Sequence, residues 1–176
     1  MPHGYPWYDF IEATDGLEQG DLIFKCPVFK IAPDTDTVVR EELYIEWEIR
    51  DVIIMSQSCD LVHDKLEEVL LCPVWKRSTF DPSNPLSKAR ELEKARRGQY
   101  PAFHVLAKCE PPEQEGELRV VDFRRIFTLP MKYLKRHALS LGQRYRLLPP
   151  YREHLSQAFA RYFMRVGLPV DIPPIC

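Results

Sequence analysis

Cys59, Asp60 and His63 set a thiol, a carboxylate and an imidazole close together in the stretch RDVIIMSQSCDLVH, residues 50–63. Three roles suit such a packet. A C-x3-H spacing supplies two zinc ligands, and Cys26, Cys72 or Cys109 would have to complete the set of four that a structural site takes. A thiol nucleophile would instead draw on His63 as its base, in an electropositive setting. The third role is shape alone: Ser56, Ser58 and Asp60 bond backbone amides in a tight turn while Cys59 packs inward. No C-x2-C pair announces a zinc site. The tight turn, or a partner-binding loop formed by Ser58, Cys59, Asp60 and His63, is the expectation, with no metal and no cofactor.

Arginine is the other residue type that invites chemistry. Residues 1–88 hold 8 Lys/Arg against 17 Asp/Glu, whereas residues 89–176 hold 16 against 9, although the net charge is only -2. Either the chain has a basic face that meets phosphate, or its two halves neutralise each other in the fold. Arg50 opens an apolar run, where it is an outward strand residue paired with a glutamate or a phosphate contact. Arg119, Arg124 and Arg125 surround Phe123, with Phe127 close by. That group is a solvated strand edge or a set of phosphate contacts whose aromatic neighbours stack bases. His104 and His137 are expected to be structural.

The elements that must position these groups are mostly strands. GDLIFKCPVFKIA follows a turn at Gly20-Asp21 as an apolar, β-rich run. LYIEWEI alternates with period two, predicting a half-buried strand with Ile45, Trp47 and Ile49 on its inner side and Glu46 and Glu48 outside. DVIIMS and EEVLLCPVW are continuous apolar runs, buried on both faces or set in a barrel wall. Pro73 marks a bulge, end or edge in the second. AFHVLAK and LRVVDFRRIFTL restore strand character around the turn-rich EPPEQEGE, and PDTDT is another turn. MKYLKRHAL predicts a short helix and RYRLL a short strand.

Two further helices punctuate this order. Leu86, Ala89, Leu92 and Ala95 recur at helical spacing within residues 84–98, with Ser83 or Asn84 as cap ahead of Pro85, which predicts an inserted surface helix. YREHLSQAFARYFMRVG predicts a closing amphipathic helix over 151–166, with Leu155, Phe159, Phe163 and Val166 facing the core and Gly167 and Pro169 ending it. Residues 1–19 read as a loose lead-in. Five to seven strands without βα alternation disfavour a doubly wound sheet and favour a small, strongly bent antiparallel barrel. Residues 20–82 and 100–148 would supply its strands, within a single domain of 176 residues.

Bulk properties agree with a globular chain. The apolar fraction is 45% and the mean hydropathy -0.32. A chain of this length buries roughly 70% of its unfolded surface, enough for a core without staples. No apolar run approaches the ~20 residues of a membrane span. The aromatic, proline-broken MPHGYPWYDF lacks the parts of a signal peptide. An odd number of widely spaced cysteines argues against a disulfide framework, so the cytoplasm is expected.

The order of these strands resembles the MazF/PemK toxin family. Gly20-Asp21-Leu22-Ile23-Phe24 is similar to that family's opening Gly-Asp and apolar strand. RDVIIMSQ resembles its next strand, with Asp51 in place of a proline. LLCPVWK is similar to the first part of the strand after that, and VVDFRRI to a later one carrying an Asp followed by Arg. The resemblance runs from Gly20 to Val166, with SQSCDL as the hallmark of a divergent branch and 84–98 as an insertion. It implies an SH3-like barrel with a packed C-terminal helix, a homodimer, and metal-independent cleavage of single-stranded RNA in a groove that an antitoxin peptide also occupies. Arg50 then matches the catalytic arginine, and Asp122 and Arg125 an acidic-basic pair, with Asp122 as base. Ser56, Lys76, Arg77, Arg119 and Arg124 are the expected RNA contacts. The family's catalytic threonine falls near Trp75, which has no hydroxyl, and Ser78 lies three residues on. Two readings follow: an endoribonuclease, or a non-catalytic interaction module that binds RNA or a protein partner.

Overall fold

The computed structural model describes residues 5–31, 45–109 and 116–164. The expected turn PDTDT, most of EPPEQEGE, and Arg165, Val166, Gly167 and Pro169 lie outside the described residues. The protein is mainly β. Its strands are β1 (Tyr8–Glu12), β2 (Asp21–Ile31), β3 (Ile45–Ile54), β4 (Glu68–Lys76), β5 (Phe103–Cys109), β6 (Glu117–Asp122), β7 (Phe127–Pro130) and β8 (Gln143–Leu147). Four helices accompany them: α1 (Ser58–Val62), α2 (Ala89–Arg96), α3 (Met131–Ser140) and α4 (Tyr151–Phe163). No helix among the described residues is long and apolar enough to cross a membrane.

The described strands form one antiparallel sheet in the order β1-β8-β2-β3-β4-β6-β5, with β7 also on β4. The expected barrel does not close: β1 and β5 end the sheet without a shared ladder. A side-chain bond crosses between them, the Tyr8 hydroxyl donating to the Ala107 carbonyl at 2.9 Å. The continuous apolar runs explain the architecture. Val52 and Ile54 enter one core with Ile23, Leu71 and Leu134, while Ile53 enters another with Leu22, Cys72, Phe123 and Leu155. Successive side chains alternate across a strand, so the central strands are buried on both faces. Helix α3 contributes Leu134 and Ala138 to the first core and α4 contributes Leu155 to the second.

Three expectations about the ends and edges are corrected. Part of the lead-in is a strand: β1 pairs with β8 from Tyr8↔Leu147 to Glu12↔Gln143. Trp7 stacks on Tyr151 with ring centroids 3.7 Å apart, which fixes the entry to that strand. On β3, Ile45, Trp47 and Ile49 are 60%, 66% and 51% exposed, so the alternation is real but its apolar side faces outward. The cause is reach: β4 pairs only with Val52–Ile54 of β3, so the first part of the strand extends beyond the cores. At the far end, Phe163 is exposed, and α4 packs through Leu155 and Phe159 instead.

The inserted segment is a 3-10 turn, Pro85–Ser87, followed by α2, and the Asn84 side chain accepts the Leu86 amide as a cap. Leu86, Leu92 and Ala95 cover Val105 and Val120 in a third small core. At Pro73 the expected irregularity takes a definite form. Before it, β4 pairs Glu68–Leu71 with β7; after it, Val74–Lys76 pair with β6. Pro73 has no amide hydrogen to give a ladder. Opposite this switch the neighbouring chain leaves the ladder over residues 123–126, which carry Arg124 and Arg125.

Candidate functional site

Trp75 gathers the cationic groups. The Arg50 guanidinium carbon lies 4.9 Å from the centre of its ring and that of Arg125 5.7 Å. Arg50 arrives from β3 and Arg125 from the excursion between β6 and β7, so residues far apart in sequence share one aromatic surface. A guanidinium over an indole gains cation–π attraction, and its stacked plane leaves edge N–H groups to meet an anion. Arg124 turns the other way. Its guanidinium lies 4.5 Å from the Phe103 ring centre. Two adjacent arginines thus sit on two different rings, giving the alternation of cation and aromatic that single-stranded nucleic-acid sites use.

Glu48 completes this face. The Arg50 Nε donates to its carboxylate. That bond, aided by the charges of Arg50, Lys30 and Arg125, holds the Glu48 carboxyl below its ordinary pKa against the opposing effect of burial. Glu48 is therefore ionised at neutral pH, and it partly neutralises the face.

Other expected contacts are placed elsewhere. Arg119 is 3% exposed. It donates to Asp51 at 2.8 Å and lies over the Phe24 ring, so it is neither a solvated edge nor an RNA contact. Asp51 stands where the resembling family has proline, and it has its own work. Its second oxygen accepts the Lys25 amide at 3.0 Å, at a bulge where Lys25 has φ of 50°. Asp122 is 2% exposed. Its carboxylate accepts the Arg124 amide and two guanidinium bonds of the same residue, at 2.8–3.0 Å. It anchors the turn and does not present a free base. Ser56 is buried, its hydroxyl accepting the Leu70 amide at 2.8 Å, which removes it from any RNA surface. Lys76 is half-buried and Arg77 exposed at the end of β4. Ser78 donates to Glu117 at 2.8 Å.

The cysteine packet is a short helix. Ser58 accepts the Gln19 amide at 3.1 Å, so it and Ser56 do brace backbone amides. Asp60 instead pairs with Lys65 at 3.8 Å. Cys59 is exposed where inward packing was expected, because Leu61 takes the inward position of α1. Cys26 and Cys72 are buried in the two main cores, and burial pushes both thiols up to about 12. They are inert as nucleophiles. Among the described residues no three His, Cys, Asp or Glu side chains converge as a metal site would require.

Sequence reasoning missed Trp75 as the centre of the site, treating it only as a lost hydroxyl; the glutamate it offered as a partner for Arg50 is Glu48. The available signal was the register of β3: Glu48 and Arg50 are two residues apart and so share one face of the strand. No protein-family model and no curated protein matches this chain.

Proposed function

We propose that the protein binds single-stranded RNA through the face formed by Arg50, Trp75 and Arg125, extended by Arg124 on Phe103, as a MazF/PemK-like toxin-type module of the cytoplasm. The observation that carries this reading is the pair of guanidiniums, one from β3 and one from the excursion between β6 and β7, on one half-buried indole. Bases stack on aromatic faces regardless of sequence, while arginine edges meet the phosphates between them. The reading is one of binding, because Asp122 is committed to Arg124 and Trp75 supplies no hydroxyl. A protein partner such as an antitoxin has a surface too: Phe29 and Trp47 face each other across β2 and β3 and are both exposed, beside exposed Ile45 and Ile49.

Fluorescence anisotropy with a labelled single-stranded oligoribonucleotide tests this. Wild-type protein is expected to bind at low salt and to weaken steeply as salt rises. Arg50→Ala and Arg125→Ala should each reduce affinity. Absence of binding by folded protein at low ionic strength would sink the proposal.

One observation favours cleavage as a second reading. Glu48 is, unlike the buried Asp122, a half-buried carboxylate that is ionised beside Arg50 and Arg125, cationic groups suited to stabilise a phosphorane, and it is the candidate base of this reading. That reading predicts metal-independent RNA cutting in EDTA, lost in Glu48→Gln. Intact RNA after prolonged incubation leaves binding alone.

A further inference from the structure

Helix α2, strand β5 and helix α4 enclose a pocket of about 330 Å3 that shares no lining residue with the Arg50–Trp75–Arg125 face. Its size lies at the lower end of small-molecule sites, roughly 300–1,000 Å3. Arg96 and Arg97 reach it from the end of α2, and Arg161 from α4. Phe103, His104 and His154 also line it, and no carboxylate does.

The charge is not cancelled locally. Glu93 takes bonds from both Arg96 and Arg97, at 2.7–2.8 Å, so one carboxylate is shared between two guanidiniums. Arg161 forms no ion pair among the described residues. The site therefore keeps a positive excess in a concave setting, where an anion would be held from several sides. Guanidinium edges suit the oxygens of a phosphate, which accept paired N–H bonds.

A second, independent feature points to a ligand with more than charge. The His104 Nε2 is buried and has no hydrogen-bond partner among the described residues. Buried polar atoms are nearly always paired, so an orphan of this kind calls for a partner. Burial pushes the His104 imidazole down to about 4, with His154 adding to the effect, so the ring is neutral and offers a hydrogen bond without a charge. Phe103 lines the same space, and its ring already carries Arg124. A phosphate-only ligand would leave this aromatic and uncharged side unused.

We infer that this pocket binds the phosphomonoester end of a nucleotide, with Arg97 and Arg161 on the phosphate and the nucleoside on the apolar side of the lining, where Pro101, Phe103 and Ala158 lie. The nucleotide is either free or the terminal residue of a strand. The pocket shares Phe103 with the Arg124 extension of the RNA-binding face but none of Arg50, Trp75 and Arg125, so loss of monophosphate binding in Arg161→Ala with RNA binding kept, or the reverse in Arg50→Ala, tells the two apart.

Isothermal titration with adenosine 5′-monophosphate, adenosine and inorganic phosphate tests the pocket. The monophosphate should bind more tightly than either fragment. Arg161→Ala and Arg97→Ala, both at exposed positions, should each weaken it by about tenfold, the scale of a lost charge-assisted contact. Lys132→Ala on the distant surface of α3 should not change it. A matched pair of oligoribonucleotides, one 5′-phosphorylated and one 5′-hydroxyl, distinguishes the source. Preference for the phosphorylated strand that disappears in Arg161→Ala assigns the pocket to strand ends; monophosphate binding without that preference assigns it to free nucleotide. No monophosphate binding, or binding indifferent to both arginine substitutions in protein shown to be folded by circular dichroism, overturns the inference.

Discussion

Two groups of arginines in this molecule have the same side chain and opposite circumstances. Arg144 is 1% exposed and Asp21 is fully buried beside it. Arg144 donates to Asp21 at 2.8 Å and to the carbonyls of Glu12, Asp15 and Gly16 at 2.7–3.0 Å. Arg146 holds the same carboxylate and Glu18. All three guanidinium nitrogens of Arg144, and all three of Arg146, have an acceptor there. Around Trp75, by contrast, Arg125 is exposed, forms no ion pair among the described residues, and rests on a ring. Donor saturation separates an arginine that holds the fold from one open to a ligand. It also resolves the charge asymmetry: Arg119, Arg144, Arg146 and Arg152 carry charge from the basic half to Asp51, Asp21 and Glu18 in the acidic half. Much of the imbalance is structural, and only the remainder is offered to solvent.

The sharpest break of this comparison is Asp21→Asn. It leaves two guanidiniums partly unpaired, one of them wholly buried, and loss of one partner of a buried pair costs about 3–5 kcal/mol. Urea denaturation should show that loss in the midpoint. Gly20 precedes Asp21 with φ of 88°, and a Cβ there would meet the Leu147 Cβ at 3.0 Å, so this corner tolerates little rearrangement. An unfolding midpoint unchanged by Asp21→Asn would mean that the knot contributes no stability.

Asp51→Ala comes next. Arg119 keeps its cation–π contact with Phe24 but loses its carboxylate, and its Nε already lacks a partner. A buried charged donor left unmatched, together with the freed Lys25 amide, should cost roughly 2–4 kcal/mol. RNA affinity of the folded fraction should stay within about twofold, on the reading that exposed contacts govern binding. A variant that loses RNA binding while keeping its stability would move Arg119 into the other group.

How much of this division was legible in the sequence differs between the groups. The strands that hold the arginines were visible, because apolar runs and a two-residue alternation are local signals. The assignment of sides was not. Ile45, Trp47 and Ile49 alternate as a buried face would, and only the point where β4 leaves β3 exposes them. The family resemblance put Arg50 and Arg125 in one groove, but Trp75 as the ring between them was not legible, since that meeting depends on β4 changing partners at Pro73. Arg119 and Asp122 read as surface charges because arginine and aspartate usually are, and nothing local reveals that Asp51 reaches Arg119 from a distant strand. Barrel closure was the least legible feature. It depends on sheet curvature and on both ends meeting, which strand patterns do not encode.

On the open face, Trp75→Ala should act on binding and hardly on stability. Base–aromatic stacking is worth about 1–3 kcal/mol per base, and the two guanidiniums also lose the ring that orients them. Anisotropy should register a loss of roughly five- to a hundredfold. The unfolding midpoint should move far less than in Asp21→Asn, since Trp75 is only half-buried. Comparable losses of stability in the two variants would erase the distinction between the groups.

The smallest effect is the most discriminating, because its sign is opposite to that of a damaged site. Glu48 is the carboxylate on the binding face, and its folded pKa lies below the ordinary value of 4.5. A group with a depressed folded pKa contributes stability that is present above the unfolded value and is lost as pH falls through the folded one. Acid should therefore weaken the fold slightly at this site while it strengthens RNA binding, since a neutral Glu48 no longer competes with phosphate for Arg50. Glu48→Gln imposes the neutral form at pH 7. With an oligouridylate probe, affinity should rise a few-fold, on the order of 1 kcal/mol or less as expected for a surface ion pair. The variant should also lose whatever gain the wild type shows as pH falls below 4.5. Lower affinity in Glu48→Gln at pH 7 would make Glu48 a positioning partner for Arg50, and the open face would then resemble the buried knot, with its arginine held by a carboxylate for shape rather than held back from an anion.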